Sequence, residues 1–257
     1  MTLIESAPVV GATATSWLQP SWTLDDYRHL LQNVVGEWGR FIELDDYARG
    51  TPGVWLRHDV ELSLRAAELM ATVEHRLGVR ATYFLCPGSP LLQRHTRRLA
   101  QTAARLAQLG HDVGVHVQDA PPHELPPWAT TPHVSFHAPT RPGTSPAAST
   151  RTILHDLAST ASGAAVYWAV AQNRSHYASD STGRWRSPTP WRRPDDGTTT
   201  QLQLLTHPYW WARRTGLHAL EMTVDASRFL PKAAALRHHG PSEGWRTSEL
   251  PVTRPNS

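Results

Sequence analysis

Short apolar runs and stretches of helical spacing alternate along this chain. Thr23 to Arg40 reads as a helix, with Asp25 and Asp26 in the first turn, where carboxylates meet the positive end of the helix dipole. Gly53 to Asp59 reads as a short buried strand ending in polar residues. Leu62, Ala66, Leu69, Met70, Val73 and Leu77 then fall near helical spacing, and Gly78 stops them. Val79 to Leu85 is a second strand, Leu91 to Leu109 a second such helix closed by Gly110, and Asp112 to Val117 a third strand. Further strands are expected at His133–His137, Ala164–Ala169 and Leu202–Thr206. The stretch 118–132 is rich in proline and too short for another full crossover helix, and 171–200 reads as a long polar loop. Strand and helix in alternation predict an α/β domain with parallel strands.

At 257 residues the chain allows one large or two small domains. No internal repeat divides it, so a single domain is expected over 1–237, with an irregular lead-in over 1–20 and a flexible tail over 238–257. Mean hydropathy is −0.42, and no apolar run approaches the roughly 18 residues of a membrane helix. The single cysteine, Cys86, excludes both an internal disulfide and a four-cysteine zinc site. The first twenty residues lack a basic start followed by an apolar core, so no secretory signal is read and a cytoplasmic protein is expected. Net charge is +3, and among 25 basic residues Lys232 is the one lysine. The arginines are scattered, with pairs only at 97–98, 192–193 and 213–214. Nucleic-acid binding needs clustered charge, so no such partner is expected, nor a membrane.

Fifteen histidines are the unusual count. Where parallel strands form a barrel, chemistry gathers at their carboxyl ends. The first strand ends in His58-Asp59-Val60-Glu61, the third in His116, and the later ones in His137 and His207. Imidazole with carboxylate suits zinc and related divalent ions, and three protein ligands leave a position open. Each residue also has a structural alternative. Asp59 or Glu61 alone would serve to cap the helix near Leu62. Strand alternation turns His58 away from Asp59 and gives it a structural role. His111 belongs to the turn into the third strand, while His133 and His123 are reserve ligands.

Taken in order, several segments resemble one family. They are Leu56-Arg57-His58-Asp59-Val60-Glu61, Leu77 to Phe84, Gly110-His111-Asp112-Val113-Gly114-Val115-His116, Ser135-Phe136-His137-Ala138-Pro139, Tyr177 to Arg186, and Leu204-Leu205-Thr206-His207-Pro208. Together, over about residues 54–211, they resemble the polysaccharide deacetylases, the NodB-type carbohydrate esterases, and more closely a bacterial branch whose first motif reads His-Asp-Val-Asp. The resemblance implies a distorted, incomplete (β/α) barrel of NodB type holding one divalent metal ion: zinc, with cobalt, nickel or iron as alternatives. It also implies removal of acetyl groups from sugars.

Carried over, the resemblance makes Asp59 the base, Glu61, His116 and His137 the metal ligands, and His207 the general acid. Asp180 would orient His207 or a sugar hydroxyl. Tyr177, Trp185, Arg186, Tyr209 and Trp210 would contact substrate, with packing under the long loop as the alternative for the aromatics. This sequence departs from the family pattern in three places. Glu61 stands where Asp is expected. Ala120 stands where the second metal histidine normally falls, so His137 is expected to supply that ligand. The segment between His116 and His133 is also short, which should open one side of the barrel. The expected substrate is an N-acylated sugar, an aminocyclitol or a related small molecule. Two other classes stay open: a metal-dependent enzyme with another reaction (other C–N hydrolysis, lyase or isomerase), and a catalytically degraded carbohydrate-binding module.

Overall fold

The computed structural model describes residues 20–117, 124–136, 175–181, 183–185 and 187–212. His123, His137, Arg186, the expected strand 164–169 and the tail from 238 lie outside these.

The first helix, α1 (Leu24–Trp38), starts where the sequence places it, for a definable reason. Thr23 Oγ1 accepts the Asp26 N–H at 3.0 Å and Asp26 Oδ2 accepts the Thr23 N–H at 3.2 Å, a reciprocal capping box. Next come β1 (Phe41–Ile42) and α2 (Leu44–Ala48), both too short to leave a periodic signal. The first long strand is β2 (Gly53–Val60), buried at every position. Helix α3 (Leu64–Arg76), strand β3 (Thr82–Leu85), helix α4 (Thr96–Gln108) and strand β4 (Asp112–Val117) follow the expected alternation. The helix expected from Leu91 begins five residues later, because 87–94 form turns. After β5 (Val134–Phe136) the described chain resumes at β6 (Ser175–Ser179), inside the segment read as a loop. Strand β7 (Gln201–Thr206) and the short helix α5 (Pro208–Trp211) close it.

Among the described residues every strand pairing is parallel. Six strands run in the order β5-β4-β3-β2-β7-β6 and curl as a half-barrel, while β1 pairs with the first residues of β2. The fold is therefore α/β with a parallel, incomplete barrel-like sheet. Alternation sorts the side chains of β2. Val54, Leu56 and Val60 join the main core with Tyr27, Leu30 and Val34 of α1 and Ala67, Met70 and Ala71 of α3. Trp55 points to the opposite face, into a smaller cluster with Ile42, Leu44, Tyr47 and Phe84. The register places Asp59 beside Phe84, Phe84 beside Gly114, and His116 beside Ser135, so Arg57, Asp59, His116 and Ser135 share that second face. A Cβ on Gly114 would lie 2.7 Å from both the Phe84 ring and the His133 carbonyl, so only glycine lets β4 close on its neighbours there.

Among the described residues, no helix is long and apolar enough to cross a membrane.

Candidate active site

Because all strands are parallel, their carboxyl ends form one rim. It carries Asp59 near the end of β2 and Glu61 just after it, Cys86 after β3, His116 near the end of β4, Asp180 after β6 and His207 after β7. Helix α3 uses neither Asp59 nor Glu61 as its cap. Ser63 is its N-cap, with Oγ accepting the Ala66 N–H at 3.1 Å.

Asp59 is buried, and Arg57, two residues earlier on the same face, is buried beside it. Arg57 Nη2 lies 2.7 and 3.0 Å from the two carboxylate oxygens and 2.5 Å from Ser135 Oγ. The guanidinium sits over the Trp55 and Phe84 rings, at 5.8 and 5.5 Å from their centroids. Ser135 Oγ donates to Asp59 Oδ1 at 3.2 Å. Burial alone would raise the Asp59 carboxyl. The charges of Arg57, His116 and His207 and the Arg57 hydrogen bond outweigh it and hold the group below the usual carboxylate range.

His116 bridges the second acid. Its Nδ1 lies 3.0 Å from Ser135 Oγ and its Nε2 3.1 Å from Glu61 Oε1. Glu61 is more open, its side chain 20% exposed against 5% for Asp59. Two donors on one tetrahedral zinc, with bonds of about 2.0–2.1 Å, stand about 3.3 Å apart. The Nε2–Oε1 separation and the imidazole–carboxylate chemistry therefore fit two ligands of one ion. Among the described residues no group of three or more His, Cys, Asp or Glu side chains is arranged to hold a metal. The third expected ligand, His137, lies outside them. Burial, with Glu61 and Asp59 nearby, pushes the Cys86 thiol up to about 12, so it is no thiolate nucleophile at neutral pH.

Across the rim, Asp180 is fully buried and its carboxylate points at His207. Oδ1 lies 2.7 Å from His207 Nδ1 and 3.0 Å from the His207 backbone N–H, and Oδ2 accepts the Trp211 indole N–H at 2.8 Å. Burial would lower the His207 imidazole. The hydrogen bond and charge of Asp180, then the charges of Asp59 and Glu61, raise it to about 9. His207 is thus protonated at neutral pH, with Nδ1 occupied by Asp180.

The aromatic residues divide by exposure. Tyr177 is 45% exposed on the outer strand β6. Trp185 is 3% exposed, stacked on Trp22 at 6.5 Å and tilted against Trp211 at 6.2 Å, so its ring belongs to the core. Half-buried Trp210 covers Gly183, with Tyr209 edge-on at 5.0 Å.

Three other histidines have structural partners. His58 turns toward the helices, with Nδ1 at 2.7 Å from Thr206 Oγ1 and Nε2 at 2.9 Å from Glu74 Oε1. His111 receives the Ala81 N–H on Nδ1 at 3.2 Å, locking the turn into β4. His133 lies before β5, at the opposite end of the sheet from the rim, with Nε2 at 2.9 Å from Asp45 Oδ1. Sequence reasoning assigned no role to Arg57 or Ser135. A charged residue inside an otherwise apolar strand, two positions before an acid, was the available signal for Arg57.

Compared with known proteins, the chain matches no protein-family model and no curated protein.

Proposed function

We propose that this chain is a metal-dependent amide hydrolase on an incomplete barrel of polysaccharide deacetylase type. It removes an acetyl or similar acyl group from an N-acylated sugar, an aminocyclitol or a related small molecule. One observation carries the reading: His116 Nε2 faces Glu61 Oε1 at 3.1 Å, on the same rim as a restrained Asp59 and a protonated His207.

Glu61 and His116, with His137, would hold one divalent ion, zinc first by donor chemistry. Such an ion supplies Lewis acidity, which makes water acidic near neutral pH and polarises an acyl oxygen. Asp59 takes the proton of the attacking water. Its low basicity, set by Arg57, suits a water already made acidic and not a free one. Arg57 and Ser135 fix the carboxylate so that its orientation is set before substrate arrives. His207 gives its Nε2 proton to the leaving nitrogen, which cannot depart as an amide anion. Asp180 keeps that proton in place by holding Nδ1. Tyr177 is an exposed ring among the described residues and offers a face to a sugar.

The test is elemental analysis of purified protein beside acetate release from N-acetylated sugars and aminocyclitols. About one zinc, cobalt, nickel or iron per chain, lost in His116→Ala, with acetate release lost in Asp59→Asn, supports the reading. Wild-type protein that holds no metal after reconstitution sinks it.

A further inference from the structure

Ser135 is fully buried at the meeting point of three groups. Arg57 Nη2 is 2.5 Å from its Oγ, Asp59 Oδ1 3.2 Å, and His116 Nδ1 3.0 Å. A serine hydroxyl has one proton to donate and two lone pairs to accept with. Arginine has donors only, so one lone pair takes the Arg57 N–H. Asp59, ionised against that same guanidinium, has acceptors only, so the hydroxyl proton goes to Asp59. One lone pair remains, and only an N–H can meet it.

We infer that Ser135 is a positioning residue that pins the proton of His116 to Nδ1 and presents Nε2 toward Glu61. The neutral ring then exists as the Nδ1–H tautomer. Whatever occupies Nε2, a proton shared with Glu61 or a metal ion, meets an imidazole of fixed orientation. Histidines that bind metals almost always have the second ring nitrogen held in this way. The hydroxyl also couples the two halves of the rim. Arg57, Asp59 and His116 all meet at one oxygen, so its loss should loosen both the acid and the ring. The use made of Nε2 rests on the hydrolase reading above, whereas the tautomer does not.

The experiment is long-range nitrogen–proton NMR of the histidine side chains at about pH 8, with and without zinc. His116 signals are identified by their absence in His116→Ala. In the wild type His116 Nδ1 is expected to carry a proton in both spectra, with or without one on Nε2. Ser135→Ala should release the ring to a mixture or to the Nε2–H form, and Ser135→Thr, which keeps the hydroxyl, should restore the wild-type pattern. Zinc affinity by chelator competition should fall about 10–100-fold in Ser135→Ala and recover in Ser135→Thr. An unprotonated Nδ1 in the wild type, or a Ser135→Ala spectrum identical to it, overturns the inference. Wild-type protein that binds no zinc yet carries the pinned Nδ1 proton upholds Ser135 and overturns the hydrolase reading alone.

Discussion

Asp180 Oδ1 stands 2.7 Å from His207 Nδ1, and the same carboxylate accepts both the His207 backbone N–H and the Trp211 indole N–H. The two residues are 27 positions apart in sequence, yet the parallel register of β6 beside β7 brings their ends together.

The first prediction concerns pH. The pair raises His207 to about 9, above its ordinary value near 6.5. A raised basic group stabilises the fold fully below the ordinary value, and that contribution is lost as pH rises through about 9. Activity should follow the same limb, since the acid form disappears there. Asp180→Asn should move the alkaline limb of the pH–rate profile down by about one unit or more. An unmoved limb would remove His207 from the role of acid.

A second prediction follows from the buried pair of Arg57 and Asp59. Arg57→Met leaves a carboxylate in the interior with its cation gone, which should destabilise the fold by about 3–5 kcal/mol. The double variant Arg57→Met with Asp59→Leu should cost less than the single one, because no charge is left stranded. Asp59 is lowered below the carboxylate range, so its contribution is present in full above that range and is lost as pH falls below it, through the depressed value. Denaturant unfolding at neutral pH and at about pH 2–3, below the ordinary carboxylate value, measures both effects.

Much of this rim was readable because its residues follow apolar strands directly. Asp59, Glu61, His116 and His207 each sit where a buried run ends, and a parallel sheet needs no further information to align them. Strand β6 was hidden for the opposite reason. Ser175 to Ser179 is an outer strand with mostly half-buried or exposed side chains, so no apolar run marks it. The role of Ser135 depends on which strand lies beside which, a long-range fact that local spacing does not contain. The carboxylate of Glu74 was hidden in another way. On helix α3 it follows Ala67, Met70 and Ala71 at helical spacing, on the face where periodicity calls for an apolar residue, and it is fully buried there.

Glu74 supplies the third prediction. It accepts the hydroxyls of Tyr27 at 2.5 Å and Tyr83 at 2.8 Å and lies 2.9 Å from His58 Nε2. One side chain thereby ties α1, α3, β2 and β3 together, and His58 extends the tie to Thr206 of β7. Burial would raise this carboxyl, but His58, His111 and the tyrosine hydroxyl lower it, so it remains ionised. Glu74→Ala strands two tyrosine hydroxyls and a histidine and should cost on the order of 3–5 kcal/mol. Tyr83→Phe removes one donor and should cost only about 1 kcal/mol. Equal costs in a thermal or denaturant series would mean that the network does not act as a unit.

The last prediction separates the two acids of the first motif from the helix beside them. An acid just before a helix serves either to cap it or to do chemistry, and the sequence left both open for Asp59 and Glu61. Ser63 holds the cap, so Ser63→Ala should cost about 1 kcal/mol and leave the zinc affinity almost unchanged. Glu61 reaches away from the helix to His116 Nε2, with its side chain partly exposed. Glu61→Gln keeps the size and one acceptor but discards the charge that a divalent ion requires. It should leave the unfolding midpoint of the metal-free protein nearly in place while weakening zinc binding about tenfold or more. Measured side by side, the two variants should therefore exchange effects, one on stability and the other on metal. If Glu61→Gln lowers stability as Ser63→Ala does and leaves zinc affinity alone, Glu61 belongs to the helix and the ligand set loses its carboxylate.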